Sequence, residues 1–277
     1  MMLRSPLIWL TFLVLAGCYT PRYVYSPVAH NMPLLTQKGQ ASLGGNYSTN
    51  IGNRNSAGSK VRISTASGYD LQGAYAINRR WIITSAFYKR HERNDGDYSS
   101  QNLDSSVIRY RRTLYDIGAG YIIPLVADKM YLHVFGGIGF GKFGFTDIGA
   151  DQSGMQEQHF HQAHASRIFL QPALSLMSSA YVSTTISSRF SSLHFSHIRT
   201  DYSADQLDSY QLDSISYSPT RLWEPAIIQT FHFKKVPGFS LQYQAGLSML
   251  LSRNFVDVRP FNFSIGIFAD PVRLFHR

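Results

Sequence analysis

Residues 239–251 read FSLQYQAGLSMLL, and their side chains alternate between two types. Apolar side chains occupy every second position, as at Leu241 and Tyr243, and most residues between them, such as Gln242 and Gln244, are polar or small. A period of two residues places the two types on opposite faces of a β-strand. The stretch therefore predicts a strand with one apolar and one polar face.

The same alternation recurs in nine further segments of the chain. They cover residues 41–48, 69–77, 80–90, 115–123, 130–141, 167–176, 182–190, 222–234 and 261–270. Segments 80–90 and 222–234 alternate less cleanly than the others. The total of ten strands is even, and an even number returns both ends of a barrel to the same side of a membrane.

The connections between these segments alternate in length. The longer ones cover about residues 50–67, 92–105, 147–164, 196–220 and 252–258, and the shorter ones lie near residues 78–79, 125–129, 177–180 and 235–238. Transmembrane β-barrels have short periplasmic turns and longer outer loops. We therefore predict an all-β fold in which residues 39–277 form an antiparallel ten-stranded transmembrane barrel. A soluble β-sandwich is the alternative, but apolar faces that run through nearly every strand favour the barrel.

The composition agrees with a membrane barrel. Only 16% of the residues are charged, 14% are aromatic, and no apolar run after Cys18 is long enough for a spanning helix. The formal net charge is +9, but no basic run exceeds two consecutive residues. We expect no nucleic-acid partner in an envelope location. The phosphates of lipopolysaccharide are the more suitable counter-charge.

The amino terminus contains a targeting segment. Arg4 precedes an apolar run, PLIWLTFLVL, which is too short to span a membrane and has the length of a signal-peptide core. Residues 1–17 are therefore predicted to be a signal peptide. Residues 18–38 contain three prolines and no clear period, which predicts an extended periplasmic tether before the barrel. Cys18 is the only cysteine, so no intramolecular disulfide can form.

The tetrad Leu15-Ala16-Gly17-Cys18 resembles the lipobox of bacterial lipoproteins. With the strand pattern of residues 39–270, the chain resembles small outer-membrane β-barrels of the Bacteroidota type. The resemblance implies an outer-membrane protein that carries a covalent lipid on Cys18 and needs no cofactor. Together with the even number of strands, it predicts that both termini are periplasmic. It also implies that the barrel-assembly machinery recognises the last strand, Pro260 to Asp270, although seven further residues follow that strand.

The polar faces of the strands place ionisable side chains in the predicted lumen. These residues are Asp70, Asp116, His133, Arg167, Arg189, Glu224, His232 and Lys234. They could line a selective pore or form ion pairs that fill the barrel. Open aqueous channels occur in much larger barrels than one of ten strands, so the sequence favours a filled lumen. Charges buried in this way must be paired.

Two short motifs suggest chemistry only weakly. The segment EQHFHQAH contains His159, His161 and His164, and imidazole is a common ligand of zinc, copper or nickel. His194 and Ser196 share one face of a strand near acidic residues, as in nucleophilic hydrolases. A histidine-rich surface loop or strand end accounts better for the first motif, and a chance pair accounts better for the second. We therefore expect neither a metal site nor an enzyme.

The sequence thus favours a non-enzymatic role. The leading hypothesis is a membrane-embedded scaffold or accessory subunit of an outer-membrane protein complex, whose outer loops contact a partner or ligand. Transport of small solutes through a narrow lumen is the first alternative, and hydrolysis of membrane lipids is the second. The expected surroundings are outer-membrane lipids, including lipopolysaccharide.

Overall fold

A computed structural model of the chain describes residues 22–51, 60–97, 105–127, 129–150, 155–236, 238–252 and 256–275. Within these ranges the chain forms thirteen strands, two short helices and one 3-10 turn. The strands are β1 (Tyr23–Tyr25), β2 (Ala41–Ile51), β3 (Lys60–Ala76), β4 (Trp81–Asp97), β5 (Ser105–Val126), β6 (Met130–Ala150), β7 (Gln156–Ser179), β8 (Val182–Thr200), β9 (Thr220–His232), β10 (Phe239–Leu247), β11 (Met249–Leu250), β12 (Val256–Val258) and β13 (Phe261–Ala269). The helices are α1 (Ala204–Ser209) and α2 (Pro271–Phe275), and the 3-10 turn is Ser214–Ser216.

Ten of these strands form one closed antiparallel barrel. Each strand from β2 to β10 pairs with its neighbour in the chain, and β11 continues β10 along β9. Strand β13 closes the ring because it pairs with β10 on one side and with β2 on the other. The predicted ten-stranded antiparallel barrel is therefore confirmed. Closure leaves no unpaired sheet edge.

The strands are longer than the alternation pattern predicted. Strand β5 has 22 residues and β7 has 24, so much of the sequence assigned to loops at 92–105 and 147–164 is strand. Alternation ends where a strand leaves the apolar part of the membrane, because both of its faces can then carry polar side chains. The described connections after β3, β5, β7 and β9 are short, and we call their side of the barrel the turn end. The opposite side is the loop end.

An apolar belt surrounds the outside of the barrel. Ile117 is 65% exposed and Ile168 is 68% exposed, and exposed apolar side chains project outward from every barrel strand. On β5 this belt runs from Tyr115 to Leu125, a height of about 25 Å for a strand tilted by about 40°. That height matches the apolar band of transmembrane barrels. Among the described residues no helix is long and apolar enough to cross a membrane.

The amino-terminal segment fills the lumen. Residues 22–36, which we call the plug segment, are mostly buried, and β1 within them pairs in parallel with β12. Arg22 contacts Asp147 at the loop end, whereas Met32 and Leu35 belong to an apolar cluster at the turn end. The plug segment therefore crosses the whole lumen before β2 begins.

This path corrects two predictions. Residues 22–36 of the predicted tether, 18–38, lie inside the barrel rather than beside it, because their backbone and side chains bond to inward-facing strand residues. The two ends of the described chain also lie on opposite sides. Arg22 is at the loop end, whereas α2 follows β13 at the turn end. The even strand count does return β13 to the side where β2 begins, but the plug segment places Arg22 at the opposite end of the barrel.

Candidate functional site

The centre of the lumen contains paired charges that hold the plug segment. Arg90 Nη2 donates to Asp70 Oδ2 at 2.8 Å, and Arg90 Nη1 contacts the other carboxylate oxygen. Asp70 also accepts hydrogen bonds from the Ser48 hydroxyl at 2.7 Å and from the backbone N–H of Ala29 at 3.1 Å. Asp70 therefore joins three barrel strands to the plug segment.

A second carboxylate, Glu92, holds two arginines and a plug hydroxyl. Arg259 Nε donates to Glu92 Oε2 at 2.9 Å, and Arg112 Nη2 donates to Oε1. The Ser26 hydroxyl donates to Glu92 Oε2 at 2.6 Å. All four of these residues are buried, so each charge depends on the others for the solvation that water would provide.

A third group lies on the opposite wall of the lumen. Arg189 Nε donates to Glu224 Oε2 at 2.9 Å, and the hydroxyl of Tyr25 donates to Oε1 at 3.1 Å. Arg189 also donates to the backbone carbonyl of Val28 at 2.9 Å. Arg167 forms a buried ion pair with Asp116. Tyr25 and Val28 thus fix the middle of the plug segment to the wall formed by β8 and β9.

The loop end of the lumen is covered by the connection between β8 and β9. Arg22 pairs with Asp147, and its guanidinium lies 3.6 Å from the ring centroid of Tyr210. The hydroxyl of Tyr202 donates to Asp147 at 2.7 Å, and burial raises the pKa of Tyr202 above its usual range. The Tyr110 hydroxyl donates to the Arg22 carbonyl at 2.8 Å. The first described residue of the plug segment is therefore enclosed from several sides.

A cavity of about 780 Å³ lies at the turn end, below the plug segment. Met32, Leu34 and Leu35 of the plug segment line it, together with His232 and Lys234. Nearer the middle of the barrel, the His30 backbone N–H donates to Gln244 Oε1 at 2.9 Å. The plug segment therefore separates this cavity from the loop end.

The structure buries six of the eight predicted lumen residues. They are Asp70, Asp116, His133, Arg167, Arg189 and Glu224. His133 packs against Phe135, and neither of its ring nitrogens has a hydrogen-bond partner among the described residues. His232 and Lys234 lie on the inward side but are exposed at the turn end, because β9 ends there, and this corrects their assignment to the buried network.

Sequence reasoning missed several members of the network. These residues are Arg22, Arg90, Glu92, Arg112, Asp147 and Arg259. Arg22 belongs to the predicted tether, and Glu92 and Asp147 belong to predicted loops. Arg90 and Arg112 lie where strands extend beyond the apolar belt, and Arg259 follows β12. A useful signal was the spacing of Arg90 and Glu92, which puts both on one face of β4.

The histidines of the EQHFHQAH segment do not meet at one point. His159 and His161 face inward, whereas His164 is exposed on the outer face of β7. His161 stacks on Phe145 with ring centroids 5.3 Å apart. His159 Nε2 lies 2.9 Å from a carboxylate oxygen of Glu157. The described residues contain no group of three or more side chains that could hold a metal ion.

His194 and Ser196 both project outward from β8 and have no mutual hydrogen bond in the described structure. The Ser196 hydroxyl instead lies 3.2 Å from Nδ1 of His197. The Asp201 carboxylate accepts the backbone N–H of Phe160 at 2.7 Å. The geometry therefore does not assemble the nucleophile, base and carboxylate of a hydrolase. Cys18, the predicted lipid-bearing residue, lies outside the described residues.

No protein-family model matches the chain, and no curated protein matches it. Solved structures do. The translocator domain of the autotransporter NalP from Neisseria meningitidis is 9% identical, with a TM-score of 0.51, over 84% of this chain and 88% of that domain. An outer-membrane channel from Pseudomonas putida is 12% identical, with a TM-score of 0.44, over 88% of this chain and 98% of that one.

The outer-membrane protein OprG from Pseudomonas aeruginosa is 9% identical, with a TM-score of 0.39, over 84% of this chain and 96% of that one. At this level of identity, structural similarity is informative about the fold alone. The NalP domain supports the fold assignment, because it is the structure of the three with a TM-score above 0.5. Together with the closed barrel and its apolar belt, it leads to one conclusion: the chain has the fold of outer-membrane β-barrels, in a ten-stranded form.

Proposed function

We propose that this chain is an outer-membrane barrel that does not conduct, and that it acts as a non-enzymatic scaffold or accessory subunit. The observation that carries the proposal is the plug segment, which crosses the lumen and bonds to inward-facing residues on several strands. A barrel blocked by its own chain offers a partner its loop end rather than a channel. No cofactor is needed for this role.

The energetics of the lumen favour a permanent plug over a transport gate. Moving the plug segment out would remove the Ser26 hydroxyl from Glu92 and the Tyr25 hydroxyl from Glu224. It would also uncover the buried charges around them. A hydrogen bond to a buried charged group typically contributes about 1.5–3 kcal/mol. Solute transport would require repeated disruption of several such contacts.

The path of the plug segment bears on the lipid that we propose for Cys18. Cys18 precedes Arg22 by four residues, and four residues span at most about 14 Å. A lipid on Cys18 would therefore be held near the loop end, which is the outer side if the short turns are periplasmic. Sequence reasoning alone expected the lipid on the periplasmic side. Metabolic labelling with a fatty acid, compared with Cys18→Ser, tests whether the lipid is present.

A disulfide crosslink tests the plug and its consequence for conductance. His30 Nδ1 lies 2.9 Å from the Ser187 hydroxyl, so His30→Cys with Ser187→Cys should join the plug segment to β8 under oxidising conditions. The chain offers a clean background because Cys18 is its only natural cysteine. The matched control is His30→Cys with Ser188→Cys, because Ser188 lies one residue along β8 and faces the outside.

We expect the Ser187 pair to crosslink and the Ser188 pair to remain reduced. The crosslinked barrel is then inserted into planar lipid bilayers, where we expect no stepwise ion current. Stable current through the crosslinked protein would show that the lumen conducts with its plug in place, and the pore alternative would replace the scaffold. Absence of crosslinking both by oxidation and by a short bifunctional thiol reagent would contradict the plug itself.

A further inference from the structure

The outer surface of the barrel carries a group of basic side chains near the loop end. We call it the cationic patch, and it consists of Lys89 and His91 on β4, Arg109 and Arg111 on β5, and Lys142 on β6. All five side chains are exposed and lie on the outward-facing positions of their strands.

The strand register brings these residues together. Arg111 is directly opposite His91 on one side and Gly144 on the other. Thr113 is directly opposite both Lys89 and Lys142. Neighbouring strands lie about 4.8 Å apart and residues rise about 3.3 Å along a strand, so the backbones of Lys89, Arg111 and Lys142 fall within about 10 Å of one another, and Arg109 lies farther along β5.

The cationic patch has no acidic counterpart in the described structure. Lys89, Arg109, Arg111 and Lys142 form no ion pair with a described residue. The nearest ion pair on the outer face joins Arg93 to Asp95 at 2.7 Å, and Arg93 lies directly opposite Arg109 at the upper edge of the patch. The acidic residues of these strands that face inward, such as Glu92, are already used by arginines of the lumen. Within the described part of the chain, Lys89, Arg111 and Lys142 therefore present positive charge that no ion pair neutralises.

The height of the patch places it where lipid headgroups lie. Lys89 follows Phe87 by two residues, Lys142 follows Phe140 by two, and Arg111 precedes Tyr115 by four. Phe87 and Tyr115 are in contact, with ring centroids 4.7 Å apart, at the upper edge of the apolar belt. In tilted strands these basic residues lie about 5–10 Å beyond that edge. The headgroup layer of a bilayer occupies this zone.

The patch also has a concave shape. A groove of about 400 Å³ is lined by Lys89, Arg109, Arg111 and Lys142, and Gly144 forms part of its lining. Gly144 occupies the outward position between Arg111 and Gln162, where any other residue would project a side chain. The groove gives an anionic group access to several donors at once.

We propose that the cationic patch binds the phosphate groups of lipid A, the membrane anchor of lipopolysaccharide, in the outer leaflet. Guanidinium and ammonium groups form strong charge-assisted hydrogen bonds to phosphate, and arginine can do so through two donors. The inference rests on the outer-membrane location in the proposed function, but not on the plug or the scaffold role. Only the leaflet at the loop end can supply this lipid to the patch.

Binding of purified lipid A to the detergent-solubilised barrel tests the proposal. The patch variant combines Lys89→Gln, Arg111→Gln and Lys142→Gln. The control variant combines Arg79→Gln, Lys129→Gln and Lys235→Gln, three exposed basic residues at the turn end. Both variants lose the same charge, so general electrostatic attraction affects them equally. Native mass spectrometry or calorimetric titration measures the dissociation constant.

We expect the patch variant to bind lipid A about tenfold more weakly than the unchanged protein, and the control variant to bind within about twofold of it. Lipid A without phosphates, phosphatidylglycerol and inorganic phosphate should each bind the unchanged protein more weakly. Equal binding by the two variants would overturn the proposal. If phosphatidylglycerol binds as tightly as lipid A, the patch is a site for anionic lipids in general, and the proposal of a lipid A site is wrong.

Heat-modifiable gel mobility checks that each variant is folded. If the patch variant does not fold, Arg111→Gln alone provides the comparison, with an expected two- to threefold loss of affinity. The disulfide experiment on the plug segment uses other residues and another readout. A failure of lipid A binding therefore leaves the plug and the scaffold role untouched, and a failure of the plug leaves the lipid site untouched.

Discussion

Adjacent residues on β4 and β5 carry the same charge but face opposite sides of the barrel wall. Arg90 and Arg112 point into the lumen, where they are buried and paired with Asp70 and Glu92. Lys89 and Arg111, one residue before each of them, point outward and have no acidic partner among the described residues. Successive residues of a strand face opposite sides of the wall. One basic residue of each pair therefore forms an ion pair in the lumen, and the other is available to a ligand outside.

The comparison implies different energetic consequences for the two faces. A charge inside the lumen is stabilised by its ion-pair and hydrogen-bond partners, so removing the oppositely charged partner leaves an uncompensated charge in a water-poor interior. A charge on the outer face above the apolar belt is solvated by water and headgroups. Inner substitutions should therefore change stability, whereas outer substitutions should change lipid binding.

The largest effect is expected for Glu92→Gln. The substitution removes the negative charge shared by Arg112 and Arg259 and weakens the hydrogen bond from Ser26. We expect the free energy of unfolding to fall by about 3–5 kcal/mol. Urea-dependent unfolding in lipid vesicles measures the loss. Asp208→Asn, in an exposed acidic position of α1, is the control and should change stability by less than about 0.5 kcal/mol.

A slightly smaller effect is expected when an arginine is introduced on the outer face of β5 at mid-membrane depth. Ala119 faces outward near the middle of the belt that runs from Tyr115 to Leu125. Ala119→Arg should cost about 2–4 kcal/mol, because a charge at mid-membrane depth loses its hydration. Thr113→Arg places the same side chain beside the cationic patch and should cost under about 1 kcal/mol. Equal folding yields for the two variants in vesicles would contradict the position of the belt.

An intermediate effect is expected at the loop end of the plug segment. Tyr202→Phe removes the hydrogen bond to Asp147 that supports Arg22, with little change in packing. We expect a loss of about 1 kcal/mol in the stability of the folded barrel. Limited proteolysis should also cut the connection between β8 and β9 faster. An unchanged cleavage rate would mean that this connection does not depend on Asp147.

The smallest effect is expected for Arg111→Gln. Because Arg111 is exposed and unpaired, its loss should change the free energy of unfolding by less than about 0.5 kcal/mol. Arg112→Gln, one residue along the same strand, should be destabilising by several times more, since it removes a donor from buried Glu92. Similar decreases in the free energy of unfolding for the two variants would contradict the assignment of Arg111 to the outer face and Arg112 to the lumen.

The barrel was predictable from the sequence because alternation and connection length both report directly on a strand that crosses a membrane. Asp70, Asp116, Arg167, Arg189 and Glu224 were found for the same reason. The plug segment was not, since residues 22–36 have no period and meet the barrel only through contacts far away in the chain.

The sequence did not reveal Arg90 and Arg112 of the lumen network or the cationic patch, for related reasons. Arg90 and Arg112 lie where β4 and β5 extend beyond the apolar belt, and polar side chains on both faces hide the strand pattern there. The cationic patch is equally invisible in the sequence, because Lys89, Arg111 and Lys142 become neighbours only through the strand register. In the sequence, no basic run exceeds two consecutive residues, so nothing marks these side chains as a group.

The threaded plug segment restricts the order in which the barrel can assemble. β1 pairs with β12, more than 230 residues later, and the ring closes only when β13 reaches β2. A chain end that carried lipid could not be drawn through a closed and packed lumen afterwards. With a lipid on Cys18, the strands would have to wrap around residues 22–36 before β13 closes the ring, so that the plug segment would be the core around which the barrel forms.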